Sequence, residues 1–151
     1  PNNSDAGLLK DITASVAEKA GLKVKQALKD IDKLAWFKTQ KLRREDRVLA
    51  NAPEKHAAQK IELNYIAIND MLTAAKHIPQ GSLVNIVREN KSNKPVLVSH
   101  QGFIIWKKGK AFFRHASREQ KISEMPLEAY IASMEKMPWK VVGFNINQFK
   151  I

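Results

Sequence analysis

Apolar and polar positions follow two different periods in the two halves of the chain. Over residues 1–64, apolar side chains recur mostly at spacings of three and four, which is typical of amphipathic helices. One stripe spans 8–21, a second spans 24–48, and a third follows the break at Pro53. The pattern predicts a helical segment over residues 1–64, in which no recognisable chemical motif occurs.

Beyond residue 64, short apolar runs alternate with turn residues, which favours a mixture of strands and short helices. The pattern predicts a short helix over 70–77, a strand over 82–88, a helix that opens at Pro126 and a final strand over 140–147. Residues 65–151 are therefore predicted to be the sheet-containing part of an α+β fold. In this fold an antiparallel sheet with a central hairpin packs against the N-terminal helices.

A β-hairpin is predicted where two aromatic-rich runs flank the turn sequence 107–110, Lys-Lys-Gly-Lys. Glycine at the third of these positions suits a type I′ turn, which requires a positive φ at both central residues. This register places Gly102 opposite His115, and it puts His100 and His115 on one face with Cβ atoms about 7 Å apart. A slip of one residue would move them to opposite faces, so their contact is a sharp prediction.

The two histidines are candidates for acid–base chemistry. A histidine with a pKa of about 6.5 takes and returns a proton at neutral pH, so it is the usual general base. It also needs a nucleophile within reach and a third polar group that fixes its tautomer. We expect His115 to supply that group for His100, and Gly102 to leave room above the His100 ring. A purely structural role for the pair is the alternative interpretation.

Composition limits the other kinds of site. The sequence contains no cysteine, which excludes disulfides, thiolate metal sites and a cysteine nucleophile within these residues. Its four histidines show no spacing typical of a zinc site, so no metal or other cofactor is expected. No apolar run approaches the length of about 18 residues that crosses a bilayer, and residues 1–5 lack the features of a signal peptide.

The chain is basic, with a formal net charge of +11. Such a charge favours polyanionic partners, and one local cluster comprises Lys38, Lys41, Arg43 and Arg44. A solvated basic helix face is the preferred interpretation of this cluster. The aromatic residues concentrate in the predicted strands and not among the basic residues, so no stacking surface for bases is expected. Nucleic acid is therefore a disfavoured partner.

Several short motifs within residues 50–150 resemble those of NlpC-type (papain-like) cysteine peptidases, which cleave amide bonds in bacterial cell-wall peptides. The resemblance is carried by Ser99-His100-Gln101-Gly102 before the hairpin turn and by His115-Ala116-Ser117 after it. More narrowly, the order of motifs is similar to that in the C-terminal half of the family described as N-acetylmuramoyl-L-alanine amidase-like. The further matching motifs are Tyr65-Ile66, Ile78-Pro79, the strand 83–87 and Pro126-Leu127-Glu128-Ala129-Tyr130.

The resemblance implies a papain-like (NlpC-type) half-fold and a peptidoglycan peptide as the substrate. It implies that His100 is the general base and that His115 orients it, while Gln101 and Trp106 are candidates for lining the substrate cleft. The nucleophile of that family is a cysteine at a helix N-terminus, upstream of the hairpin. We therefore expect this chain to be the C-terminal part of a longer protein of the cell envelope or the secreted fraction. The chain alone is expected to be inactive, because the cysteine lies upstream of it.

Three alternatives remain open at the level of sequence. The first is a catalytically inactive relative that binds cell-wall peptide, and the second is a basic nucleic-acid-binding domain. The third is a partner subunit that completes the sheet of another chain. A hairpin that is apolar on both faces must be covered on both faces, and the sequence identifies a cover for only one of them. An N-terminal segment or a partner chain is expected to supply the other.

Overall fold

The computed structural model describes residues 7–32, 59–117 and 121–150, and these residues form eight strands and three short α-helices. The strands are β1 (Leu9–Asp11), β2 (Lys25–Ile31), β3 (Gln59–Ala67), β4 (Leu83–Arg88), β5 (Val98–Lys107), β6 (Lys110–Ala116), β7 (Ile122–Pro126) and β8 (Val141–Phe149). The helices are α1 (Thr13–Lys19), α2 (Met71–Ala75) and α3 (Leu127–Met134), with a 3-10 helix at Ile68–Asp70.

The paired strands of the described residues are antiparallel, and they form one sheet in the order β2-β3-β8-β4-β5-β6-β7. β1 lies off this order because it pairs with the C-terminal part of β8, beyond the short β3–β8 pairing. β8 is therefore paired along both edges and lies in the middle of the sheet. β5 and β6 form the hairpin that carries the two histidines.

The core lies on one face of the sheet, between the strands and the three helices. Alternate residues of each strand point to this face because successive side chains of a strand point to opposite sides. The helices contribute residues such as Val16 and Met71, and the strands contribute fully buried residues such as Ile86, Ile104, Phe113 and Phe144. Burial of each such side chain contributes about 1.5–3 kcal/mol to folding.

The predicted N-terminal helices are wrong over most of the residues described there. α1 falls inside the first predicted stripe, but β2 and β3 stand where the second and third helices are predicted. Ala27 and Ile31 share a face in a strand as well as in a helix, so their spacing does not distinguish the two. Leu28, which would belong to the helical stripe, is 52% exposed. Backbone pairing of β2 with β3 along its whole length favours the strand.

The predicted fold class is wrong as well. A papain-like (NlpC-type) half-fold would pack its sheet against N-terminal helices, whereas the described residues form mainly an eight-stranded antiparallel sheet. Residues 7–32 contribute β1 and β2 to this sheet, and their helix α1 has only seven residues. β3 runs across residue 64, where the helical segment is predicted to end. The remainder of the predicted second helix lies outside the described residues.

The hairpin prediction is confirmed. Ile104 faces Phe113, as the predicted register requires. Lys108 and Gly109 have φ values of 47° and 76°, so both central residues take the positive φ of a type I′ turn. α2, β4, α3 and β8 also occur at the predicted places, within a few residues of the predicted bounds.

The opposite face of the sheet combines a polar ladder with exposed aromatic rings. Asn145 is 1% exposed, and its Oδ1 accepts hydrogen bonds from Asn85 at 2.8 Å and Asn147 at 2.6 Å. Phe103 and Phe149 stack with ring centroids 6.3 Å apart, and they stay 37% and 45% exposed. This is the face for which the sequence identifies no cover.

Candidate active site

The hairpin brings His100 and His115 into direct contact. Nε2 of His100 lies 2.7 Å from Nδ1 of His115, and the rings meet edge to face with centroids 4.8 Å apart. Both side chains are half-buried, on the same face of the sheet as the core. The contact predicted from the hairpin register is therefore present, and it uses one ring nitrogen of each histidine.

Two aromatic rings support the histidine pair from the core side. The ring centroid of the fully buried Phe113 lies 5.3 Å from that of His115 and 6.4 Å from that of His100. Tyr130 of α3 stacks on Phe113 at 4.1 Å and lies 5.2 Å from His115. Contacts of this kind contribute about 0.5–1.5 kcal/mol each beyond the area they bury. α3 therefore helps to fix the orientation of the His115 ring.

A β-bulge places a further group beside the pair. The register of β4 against β5 shifts after the pair of Ile86 and His100, which makes Ser99 the extra residue of β5. Oγ of Ser99 accepts a hydrogen bond of 2.7 Å from Nε of Arg88. The bulge thereby connects the residue next to His100 with a guanidinium at the end of β4.

Trp139 holds the same guanidinium from a second side. Nη1 of Arg88 donates a hydrogen bond to the carbonyl oxygen of Trp139, and the guanidinium carbon lies 5.6 Å from the centroid of the Trp139 ring. Nε1 of Trp139 donates in turn to the carbonyl oxygen of Glu89 at 3.0 Å. The position of Arg88 is thus fixed by two hydrogen bonds and a cation–π contact.

The surroundings of His100 favour its neutral form. Partial burial lowers the pKa of His100, and positive charge on His115 and Arg88 lowers the pKa further. A neutral imidazole is the form that accepts a proton. Burial also lowers the pKa of Arg88 and raises the pKa of Tyr130 to about 12. At neutral pH the guanidinium is charged and the phenol keeps its proton.

The geometry determines which nitrogen of His100 is available for proton transfer. Because Nε2 contacts His115, Nδ1 is the ring nitrogen left to accept a proton from another group. This use of Nδ1 requires the tautomer in which Nε2 of His100 carries its proton and donates it to Nδ1 of His115. The arrangement suits a general base whose tautomer is set by a second histidine.

The structure does not bring the other two predicted site residues to the pair. Gln101 points to the opposite face of the sheet, where its Nε2 donates to Oδ1 of Asn85 at 2.6 Å. Trp106 shares the face of His100 but lies about 20 Å further along β5. Its Nε1 donates to the carbonyl oxygen of Ile78 at 2.9 Å. A role in a substrate cleft remains a prediction for both residues.

Other expectations concern metals, membranes and polyanions. Within the described ranges, no group of three or more histidine, aspartate or glutamate side chains is arranged to hold a metal ion. The helices of the same ranges are too short or too polar to cross a membrane. The basic cluster of Lys38, Lys41, Arg43 and Arg44 lies outside the described residues.

Sequence reasoning missed the residues that surround the pair. Tyr130 belongs to a motif that carries the family resemblance, so its place in that motif was an available signal. Arg88 and Trp139 belong to no such motif. The first is oriented by a β-bulge and the second precedes β8, and neither feature has a clear signature in a single sequence.

One sequence-family model matches most of the chain. Residues 1–137 match the sequence model of the family described as N-acetylmuramoyl-L-alanine amidase-like. A search of curated proteins found no match. Among solved structures, the chain is similar to a protein of Legionella pneumophila str. Philadelphia 1, with a TM-score of 0.76 and 24% identity. That similarity covers 99% of this chain and 58% of the Legionella chain.

Two further solved structures share the fold. An N-acetylmuramoyl-L-alanine amidase from Bacteroides uniformis has a TM-score of 0.63 and 18% identity, covering 99% of this chain and 61% of its own. A candidate xylanase from Bacteroides fragilis has a TM-score of 0.61 and 18% identity, covering 97% of this chain and 61% of its own. The chain thus spans about three fifths of the length of these proteins. Identities this low show a common fold, and a fold alone does not determine chemistry.

Proposed function

Because the chain belongs to the N-acetylmuramoyl-L-alanine amidase-like family, we propose that it is the catalytic-base part of an enzyme that hydrolyses amide bonds in bacterial cell-wall peptides. The observation that supports this proposal most directly is the 2.7 Å contact between His100 and His115. A peptidoglycan substrate places such an enzyme outside the cytoplasm, in the cell envelope or the secreted fraction.

The proposed nucleophile is a cysteine thiol contributed by residues outside this sequence, since the sequence itself contains no cysteine. Nδ1 of His100 takes the thiol proton, and the sulfur forms a bond to the carbonyl carbon of the scissile amide. As the C–N bond breaks, the His100 imidazolium returns the proton to the leaving amine. Water that loses a proton to the same nitrogen then hydrolyses the thioester, which frees the acid and restores the thiol.

His115 acts in this scheme as a positioning residue. It accepts the Nε2 proton of His100 in a hydrogen bond, so that Nδ1 faces the nucleophile with its lone pair. Phe113 and Tyr130 hold the His115 ring in turn. General base catalysis by a positioned side chain accelerates a reaction by roughly 10²- to 10⁴-fold.

The test is hydrolysis of purified muropeptides by the protein that carries this chain at its natural length. His100→Ala is expected to lower the turnover number by roughly 10²- to 10⁴-fold while the thermal midpoint changes little. His77→Ala is the matched control, because His77 lies at the end of α2 and takes no part in the pair. Alkylation with iodoacetamide is expected to abolish turnover. A His100→Ala variant with the wild-type rate would contradict the proposal.

A catalytically inactive module that binds cell-wall peptide is the second candidate function. The observation that favours it is the absence of cysteine from these 151 residues. It predicts saturable binding of muropeptides without any hydrolysis, and insensitivity to iodoacetamide. Mass spectrometry of the bound peptide after prolonged incubation separates the candidates, because only the enzyme releases cleaved products.

A further inference from the structure

The guanidinium of Arg88 is rigidly held but is not neutralised by a carboxylate of the described residues. The ion pairs among those residues are Lys91–Glu89, Lys107–Glu124 and Arg114–Glu124. The neighbouring Glu89 is committed elsewhere, because its Oε1 pairs with Lys91 at 2.9 Å and accepts a hydrogen bond from the backbone N–H of Lys140 at 3.2 Å.

The internal bonds of Arg88 use two of its five N–H groups. Nε donates to Ser99 and Nη1 donates to the carbonyl oxygen of Trp139. These bonds fix the plane of the guanidinium and leave three N–H groups, one on Nη1 and two on Nη2, for a further acceptor. A guanidinium binds both oxygens of a carboxylate through parallel N–H groups on two nitrogens, and one N–H of Nη1 together with one of Nη2 forms such a pair. The arrangement resembles a prepared anion-binding group more than a structural ion pair.

A second cation strengthens the positive potential at the same place. Nζ of Lys94 lies 5.1 Å from the centroid of the Trp139 ring, whose other contact is the Arg88 guanidinium at 5.6 Å. Each contact is favourable by about 0.5–1 kcal/mol at an exposed site. Two cations that share one ring repel each other, and a bound anion would relieve that repulsion.

Arg88 stands beside the histidine pair. Its bond to Ser99 attaches it to the residue before His100, and its charge acts on both His100 and Tyr130. An anion bound at the free N–H groups of Nη1 and Nη2 would therefore lie close to the group proposed as the general base. An anionic part of a substrate held there would position a neighbouring amide bond at the pair.

We propose that Arg88 binds a carboxylate of the substrate, so that the site selects peptides with a free carboxylate next to the amide that is cleaved. This inference rests on the proposed function for its substrate class. The carboxylate forms two charge-assisted hydrogen bonds with the guanidinium, while Ser99 and Trp139 keep the guanidinium in place. The same peptide with a carboxamide in place of the carboxylate offers one acceptor oxygen and no charge.

The experiment compares two probes that differ in this one group: N-acetylmuramoyl-alanyl-glutamate and N-acetylmuramoyl-alanyl-isoglutamine, in which the α-carboxylate next to the Ala–Glu amide is replaced by a carboxamide. The protein at its natural length is expected to show a kcat/KM about 10- to 100-fold higher for the glutamate probe, which is the range of a charge-assisted hydrogen bond. Arg88→Gln is expected to remove this preference by lowering kcat/KM for the glutamate probe alone. Arg88→Lys is expected to retain part of the preference because it keeps the charge and loses the planar fork.

Arg114→Gln is the matched control. Arg114 is also half-buried in the sheet, and Arg114→Gln removes the same charge as Arg88→Gln. The ion-pair partner of Arg114, Glu124, keeps its second ion pair with Lys107 in this variant. The control is expected to retain the preference for the glutamate probe. An Arg88→Gln variant that lowers kcat/KM equally for both probes would overturn the proposal, because Arg88 would then act on the fold or on His100.

A binding measurement separates this inference from the proposed function. Isothermal titration of the same two probes into the wild type and Arg88→Gln does not depend on turnover. Tighter binding of the glutamate probe to the wild type alone, without hydrolysis, would refute the proposed enzyme and support the carboxylate site. Hydrolysis of both probes at equal rates, with equal affinity, would support the enzyme and refute the carboxylate site.

Discussion

The ring of Phe113 occupies the space that Gly102 leaves open. A Cβ at Gly102 would lie 2.8 Å from Cε1 of Phe113 and 2.7 Å from the carbonyl oxygen of Arg114. Such distances are shorter than any van der Waals contact, so only glycine fits there. The sequence suggests instead that Gly102 leaves room above the His100 ring, and that expectation is wrong because the Phe113 ring fills the space. Gly102 thus leaves space for the Phe113 ring, which packs against the histidine pair.

Gly102→Ala is therefore expected to displace Phe113 and destabilise the fold. The added methyl group meets a ring on one side and backbone on the other, so the free energy of unfolding should fall by about 1–3 kcal/mol. Urea unfolding followed by tryptophan fluorescence measures this change. Phe113→Leu in the same chain should recover part of the loss because it removes the ring edge. Strict additivity of the two substitutions would contradict the proposed contact.

Asn145 joins four strands, and its removal is expected to be more costly than that of other asparagines. Its Nδ2 donates to Oδ2 of Asp11 at 2.9 Å and to the carbonyl oxygen of Asn64 at 3.0 Å, and its Oδ1 accepts from Asn85 on β4. Asn145→Ala removes all of these hydrogen bonds at a buried position, so the free energy of unfolding should fall by about 3 kcal/mol. Asn93→Ala, at an exposed position, is the control and should change it by less than about 0.5 kcal/mol. Equal effects in guanidinium titrations would refute this role.

The hairpin could be predicted from sequence because its turn is chemically specific. Gly109 supplies a positive φ, the turn length fixes the register, and the register alone brings His100 and His115 together. The environment of the pair could not be predicted in the same way. Arg88 reaches it through a bulge at Ser99, which shifts the register by one residue and leaves no local pattern.

The N-terminal part could not be predicted because its short apolar runs fit two periods. Ala27 and Ile31 are compatible with a helix face and with a strand face. The strand conformation of β2 depends on its pairing with β3, which lies far along the sequence. Contacts between distant segments of this kind override local propensity. The prediction of the fold class is wrong for the same reason, since the fold class depends on whether the N-terminal part contributes strands or helices.

Tyr130 is expected to act through its ring and not through its hydroxyl group. Its ring stacks on Phe113 at 4.1 Å, and burial raises the pKa of its phenol to about 12, so the phenol keeps its proton in the working range of pH. Tyr130→Phe should therefore retain both stability and turnover. Tyr130→Ala should lower the free energy of unfolding by about 3 kcal/mol, because a large buried ring is lost. The pair of variants is compared by thermal unfolding and by muropeptide turnover. A Tyr130→Phe variant without activity would show that the hydroxyl takes part.

His100 is expected to make stability and activity depend on pH in the same direction. Burial and the positive charges of His115 and Arg88 lower the pKa of His100 in the folded protein below the value of about 6.5 in the unfolded chain. Between the two values the unfolded chain binds more protons, so the free energy of unfolding rises with pH there and is flat above about 6.5. As the pH falls through this window and the folded pKa, the stabilisation is lost, and a protonated His100 also stops acting as a base. Urea titrations between pH 5 and pH 8, with NMR titration of the His100 ring, should show a weaker dependence in His100→Gln than in the wild type. If both proteins lose stability equally below pH 6.5, the pH dependence originates in other groups.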